Sequence, residues 1–216
     1  YVECPAGFDA VAAALVTVDL GDGLAGRIVP GLSTRDADGV PDVLRGEEVK
    51  LAGAGIADGT VVTPGTHGKW ARLSGGRVTS FATFMTGDFY GALSGHTILG
   101  KLAEEPEDEA GFARGLEASR RPGGLTHQAF SARSLALMGD LPGRQVGPFL
   151  SGLLVGNEVR HGLAMQEAGE TVVVADGVLA RAYGAAFAAA GHPVRILDPD
   201  SVFLKGLTRL LDLSGA

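Results

Sequence analysis

Residues 61–84, VVTPGTHGKWARLSGGRVTSFATF, constrain the fold more than any other stretch of the chain. They read as strand, glycine loop, strand, glycine turn, strand. The β-branched Val61, Val62 and Thr63 stop at Pro64, which cannot donate to a central ladder. Gly65 and Gly68 bracket Thr66 and His67, so the backbone there can bend and turn its N–H groups toward an anion. Extended structure resumes at Trp70 and Leu73 and again from Val78 to Phe84, across Ser74-Gly75-Gly76, a hairpin turn signal. Thr66 offers a hydroxyl and Lys69 a compact charge suited to phosphate. Taken alone, this stretch is either a phosphate-binding β-hairpin or an ordinary Gly-rich hairpin.

The rest of the composition narrows the classes open to such a hairpin. A chain of 216 residues, 45% hydrophobic, can bury a sizeable core in one large domain or two small ones. Its 34 glycines are scattered among apolar segments without a collagen-like period, which implies many tight turns. A net charge of −7 argues against nucleic acid or an anionic membrane as the main partner. The single cysteine, Cys4, excludes an internal disulfide framework, and no cysteine pair has metal-binding spacing. No apolar run reaches the ~18 residues of a membrane span and no signal peptide is visible, which makes the cytoplasm the simplest compartment. The start, YVECPAG, lacks Met and reads as the interior of a longer protein.

Along the chain, residues 1–45 are the least regular. Residues 8–18 suit a short helix or strand, and RIVPGL (27–32) a strand closed by Pro30-Gly31. A polar loop over residues 34–41 carries an Asp38-Gly39 turn signal. Residues 43–54, VLRGEEVKLAGA, have apolar spacing for a partly buried helix, with Glu47 and Glu48 near its N-terminal turn. After the hairpin, Thr86-Gly87-Asp88 can cap a helix running toward Gly100. The acidic run 104–109 precedes helices over 110–120, 126–138 and 146–168. A buried-type strand (171–175), a helix (178–190), a second strand (193–197) and a last helix (198–211) form a βαβα pattern, the signature of parallel strands.

Three antiparallel strands followed by helices and then alternating strands and helices is the order of an RNase H-like domain, two of which build the sugar kinases of the actin, hexokinase and Hsp70 superfamily. The motifs RIVPGL, DVLRGEEVKLAGA, TPGTHGKW, FATFMTGDFYGAL, HTILG and FLSGLLVGNEV, in this order, closely resemble the 2-dehydro-3-deoxygalactonokinases. The resemblance runs over about residues 1–211. It implies an α/β fold: an RNase H-like (actin-like ATPase) nucleotide-binding domain over 46–216, with a mixed sheet flanked by helices, plus a remnant of a similar sugar-binding domain over 1–45.

It also implies roles for particular residues. Gly65, Thr66 and Lys69 fall where the superfamily binds the β- and γ-phosphates, and His67 could donate to the same oxygens or be a turn histidine. Related kinases carry a Gly-Asp pair shortly before this loop, whose Asp deprotonates the sugar hydroxyl. Gly46-Glu47 stands at a similar interval, which makes Glu47 the candidate general base, with Glu48 or Asp42 as fallback. Glu47 and Glu48 could equally be dipole-favoured helix-start residues. Arg45 suits a substrate carboxylate or a surface ion pair with a nearby Glu, and Glu48 and Thr86 are further substrate-side candidates. Asp88 stands where the family has Glu and suits a structural carboxylate, and His96 and His161 read as structural. The junction Val174-Ala175-Asp176-Gly177 matches the adenosine loop, with Asp176 able to reach a ribose hydroxyl. Gly206 takes the place of a small residue near the nucleotide, or is a tolerated helix glycine.

The superfamily's first phosphate loop, an Asp-Gly-Thr turn whose Asp holds Mg²⁺ through water, has no counterpart here, and no residue of this chain is assigned to metal. The reading is therefore ATP- and Mg²⁺-dependent phosphorylation of the 6-hydroxyl of 2-dehydro-3-deoxy-D-galactonate. The alternatives are a kinase of another 2-keto-3-deoxy sugar acid, or a non-catalytic nucleotide- or sugar-acid-binding protein. Partners are the small-molecule sugar acid and ATP, with no nucleic acid and no membrane. Residues 110–168 could supply a homodimer surface.

Overall fold

Strands β7 (Gly59–Thr63), β8 (Gly68–Ser74) and β9 (Arg77–Phe84) form the expected antiparallel meander. This is a computed structural model in which residues 1–166 and 169–215 are described. Gly75 and Gly76, at φ 56° and 74°, make the two-residue turn between Ser74 and its partner Arg77, a geometry that favours glycine at both positions. β10 (Glu170–Val174) and β11 (Arg195–Leu197) then add in parallel beside β7, and short β2 (Ala6–Gly7) closes the opposite edge against β9. The six-stranded mixed sheet has the order β11-β10-β7-β8-β9-β2.

Alternation on these strands sorts the helices into two layers. Val61 faces Ala71 across the β7–β8 ladder, and both join a core with α1 (Phe8–Ala13), α2 (Glu47–Gly53) and α8 (Pro199–Leu213). Val62 faces Trp70 on the other side, in a core with α4 (Ala110–Ala118), α6 (Gly143–Ala164) and α7 (Gly177–Ala189). Helices α3 (Thr86–His96) and α5 (Gly124–Leu137) complete an outer cluster around Phe149, Leu150 and Leu153 of α6. A three-stranded sheet of β1 (Val2–Glu3), β5 (Leu32–Arg35) and β6 (Pro41–Leu44) lies beside β9, held by Asp42, whose carboxylate accepts from the Thr83 N–H at 2.8 Å and hydroxyl at 2.7 Å. A hairpin of β3 (Val16–Gly21) and β4 (Leu24–Ile28) stands apart from both sheets.

Several local expectations need correction. The helix expected over 43–54 is a strand through Leu44, a turn, and a helix only from Glu47. Gly46, at φ 106°, makes the break, and Leu44 pairs with Leu32. The strand expected over 27–32 is two: β4 ends at Ile28 and β5 begins at Leu32. Thr34 and Arg35, expected in a loop, belong to β5, and the turn spans the residues around Asp36 and Gly39. Residues 8–18 hold both a helix and the start of a strand. The long helix was expected to reach Ala168, which lies outside the described residues; it ends at Ala164.

Candidate active site

The loop between β7 and β8 leaves the sheet where the two layers meet, so its two flanks face different helices. Lys69 and Thr63, paired across the ladder, point toward α2. Lys69 is buried at 5% exposure; its Nζ donates to the His67 carbonyl at 2.6 Å and stands 3.6 Å from Glu47 Oε1. The ammonium therefore supports the loop from beneath while neutralising the partly exposed Glu47 carboxylate. Glu47 Oε2 accepts from the Arg45 N–H at 3.2 Å, and the Arg45 side chain is exposed. Thr63 Oγ1 is buried with no hydrogen-bond partner among the described residues, an open valence on the same flank.

Glu48 turns inward instead. It is 1% exposed, and Oε2 accepts from the Gly46 N–H at 2.6 Å. Burial pushes its carboxyl up to about 7 against the pull of backbone N–H groups. Asp42 is fully engaged with Thr83 and with the Val43 N–H, at 2.7 Å, whereas the Glu47 carboxylate is partly exposed and faces Lys69.

On the other flank, the first turn of α3 is pressed onto the loop. A Cβ on Gly87 would come within 2.6 Å of Thr66 Cα and 2.7 Å of the Gly65 carbonyl, so only glycine permits the contact. Asp88 ties it twice: its N–H donates to the Thr66 carbonyl at 3.2 Å, and Oδ2 lies 2.6 Å from His67 Nε2. Met85 is the N-cap, not Thr86, and the Thr86 hydroxyl instead donates to Glu158 Oε2. Since a hydroxyl has one proton, Thr86 offers a bound anion its backbone N–H and not its side chain. The N–H groups of Thr86 and Gly87 have no acceptor within the helix, and the helix dipole favours anions there.

Glu158 went unassigned in the sequence, and it is the hub of this flank. It is 2% exposed and accepts from Trp70 Nε1 at 2.8 Å on Oε1, and from the Tyr183 hydroxyl at 2.6 Å and Thr86 on Oε2. Burial raises its carboxyl and the three donors oppose that rise. The signal was there: a single acid in the apolar helical run FLSGLLVGNEV needs partners from elsewhere in the fold.

Beyond Gly65, Thr86 and Gly87 opens a cavity of about 560 Å³ between α3, α4, α6 and α7, lined largely by apolar side chains such as Phe112, Leu154, Val178, Leu179 and Ala182, with Glu107, Glu109 and Arg181 as polar members. The size is that of a small-molecule site. The helix that follows Asp176-Gly177 forms one wall, but Asp176 and Gly177 are themselves exposed and outside the lining. Gly206 is elsewhere: its Cβ position is filled by the Val49 carbonyl of α2, so this glycine serves a helix crossing. His161 Nδ1 lies 2.8 Å from the Asn157 carbonyl, in keeping with a structural histidine, and His96 is exposed in the last turn of α3.

The chain that builds this loop, with a carboxylate on one flank and a cavity on the other, has clear relatives. The family model for 2-keto-3-deoxy-galactonokinase matches residues 1–210. The chain belongs to the 2-keto-3-deoxy-galactonokinase family. Two proteins named 2-dehydro-3-deoxygalactonokinase, from Rhizobium meliloti (strain 1021) and Escherichia coli (strain K12), are each 36% identical to it over 96% of this chain, covering 71% and 70% of their own lengths. A crystal structure of a Sinorhizobium meliloti protein named for the same activity superposes with a TM-score of 0.88 at 33% identity, covering 98% of this chain and 73% of that one. The family is one of carbohydrate kinases, and the mixed sheet flanked by helices agrees with that neighbour. Among the described residues no helix is long and apolar enough to cross a membrane.

Proposed function

We propose that the protein transfers the γ-phosphoryl group of ATP to the 6-hydroxyl of 2-dehydro-3-deoxygalactonate, giving the 6-phosphate and ADP. The observation that carries this is the Glu47–Lys69 pair, 3.6 Å apart, beneath a loop whose far flank opens into the cavity. In this reading the sugar acid lies on the α2 flank and the nucleoside in the cavity, with the phosphates crossing the loop between them. Glu47 accepts the proton of the attacking hydroxyl. The backbone N–H groups of Gly65 and Thr66, with those of Thr86 and Gly87 at the start of α3, hold the phosphate oxygens, and Lys69 balances charge that develops in transfer. His67, oriented by Asp88, is a further donor to the same oxygens. The orphaned Thr63 hydroxyl finds its partner on bound substrate. Arg45 is exposed and free to pair with the sugar-acid carboxylate, and Glu48, buried beside it, fixes the turn that presents Glu47. Asp176, the N-cap of α7, is exposed and outside the cavity lining, so this placement of the nucleoside gives it no ribose contact.

The donor set also bears on Mg²⁺. Among the described residues no group of three or more His, Cys, Asp or Glu could hold a metal ion. An ion carried on the triphosphate would need few protein ligands, of which Asp88 beside the loop is our candidate. Bound there, the ion would supply charge neutralisation.

The strand order β9-β8-β7-β10-β11, with β8 antiparallel to its neighbours, supports reading this unit as RNase H-like. We divide the chain at the same place: residues 46–216 as the nucleotide unit and residues 1–45 as the remnant of the sugar unit, although Phe8, Val11 and Ala12 are stitched into the core of the former. ATP as substrate fits a cytoplasmic enzyme, and the exposed Phe130 and Leu137 of α5, with Met138 just after its end, make that helix our candidate for a homodimer surface. The test is ADP release with Mg-ATP and each epimeric 2-keto-3-deoxy acid. The expected result is turnover with the galactonate-derived epimer, lost by roughly 10²-fold or more in Glu47→Gln with ATP affinity unchanged. Turnover with neither epimer would leave a binding protein.

A further inference from the structure

We propose that Glu158 is a positioning residue for phosphoryl transfer: through Thr86 it fixes the first turn of α3 against the phosphate loop, so that the backbone N–H groups of that turn meet the nucleotide's phosphates in a set place. This rests on the kinase reading above.

The argument begins with what a buried carboxylate needs. Among the described residues Glu158 pairs with no cation, and its carboxylate is held by three neutral donors from three elements: Trp70 of β8, Thr86 of α3 and Tyr183 of α7. Replacing it by a hydrophobe would leave all three donors without their acceptor, which is costly in a buried site. Here each donor belongs to a different part of the proposed site. Trp70 directly follows Lys69, Thr86 begins the helix that presses on the loop, and Tyr183 lines the cavity. Glu158 also touches the loop's end, because a Cβ on Gly68 would lie 3.2 Å from Oε1. The carboxylate therefore sets the distances between loop, helix terminus and cavity wall at once.

Its closest tie to the chemistry is Thr86. The hydroxyl donates to Glu158, and the residue's main-chain N–H is among those of the first turn of α3 that lack a helical acceptor. Losing that anchor leaves α3 held to the loop, among the described residues, by the Asp88 bonds to the Thr66 carbonyl and His67 and by the close packing of Gly87 on Gly65 and Thr66. The N–H groups would then meet phosphate with more freedom, and nucleotide binding should weaken while the sugar-acid side, across the sheet, is untouched.

The experiment is a double-mutant cycle on steady-state kinetics with Glu158→Gln and Thr86→Val, singly and together, plus Thr86→Ser. The expected outcome is a rise of about tenfold in the KM for ATP in each single variant, with the KM for the sugar acid unchanged. The double variant should show about the same rise, since both substitutions cut one connection. Serine, which keeps the donor, should restore the parent value. Tyr183→Phe, which keeps the ring and drops one donor to the same oxygen, gives a smaller rise in the same direction should Glu158→Gln fail to fold. Multiplying losses in the double variant, or a fall in kcat with both KM values unchanged, would mean that Glu158 serves only stability, and the proposal is overturned. No turnover in the unsubstituted protein overturns the kinase reading and this proposal together. Normal turnover with no effect of either substitution overturns the positioning role alone.

Discussion

Glu47 and Glu48 are chemically identical neighbours with opposite surroundings, and the difference gives Glu48 a pH signature. Burial raises Glu48 from an ordinary 4.5 to about 7. Below the lower value both folded and unfolded chains hold the proton. Between the two values the unfolded chain has released it and the folded chain has not, so this group's contribution to stability falls as pH rises through that window and is lost above about 7. Glu48→Gln removes the titration. Thermal melts taken from about pH 4 to about pH 8 should therefore show a flatter stability profile in the variant than in the parent. Both acids were legible as candidates in the sequence, but which of them is free was not. Their order follows from Gly46, whose φ of 106° turns the chain so that Glu47 meets Lys69 and Glu48 folds back on the turn.

Helices α2 and α8 meet through glycines at their crossing. A Cβ on Gly206 would overlap the Val49 carbonyl, and one on Gly53 the Val202 carbonyl, so each helix backbone rests in the gap left by the other. Arg209 adds to the same contact, with Nη1 donating to the Ala52 carbonyl at 3.0 Å and the guanidinium 4.6 Å from the Phe8 ring centroid. Gly206→Ala should separate the helices and cost about 1–3 kcal/mol, read as a lower urea midpoint with an unchanged slope. Since α2 carries Glu47, the same variant should lose turnover beyond its loss of stability. The sequence offered Gly206 as a neighbour of the nucleotide. A glycine in a helix reports only that something comes close, and here that something is another helix.

The larger part of the molecule is two helical layers on the six-stranded sheet, with the loop after β7 at their meeting line. Occupying the cavity should join α3, α4, α6 and α7 through one ligand. A nucleotide at about 100 times its dissociation constant should add about 2.7 kcal/mol and raise the melting temperature by several degrees, with little effect from a sugar acid alone on the nucleotide's own affinity for the cavity. Calorimetric melts with and without Mg-ATP check this. The sequence by itself determined the meander, the parallel βαβα continuation, the glycine loop between β7 and β8 with the lysine beside it, and the family, because these rest on local signals: strand alternation, glycine turns and motifs of fixed spacing. It did not determine what Thr86, Gly206 and Glu158 touch. Those contacts join residues far apart along the chain, 72 positions in the case of Thr86 and Glu158, and only the packing of the two layers brings them together. A buried carboxylate announces that it needs partners; where they come from is decided by the tertiary fold.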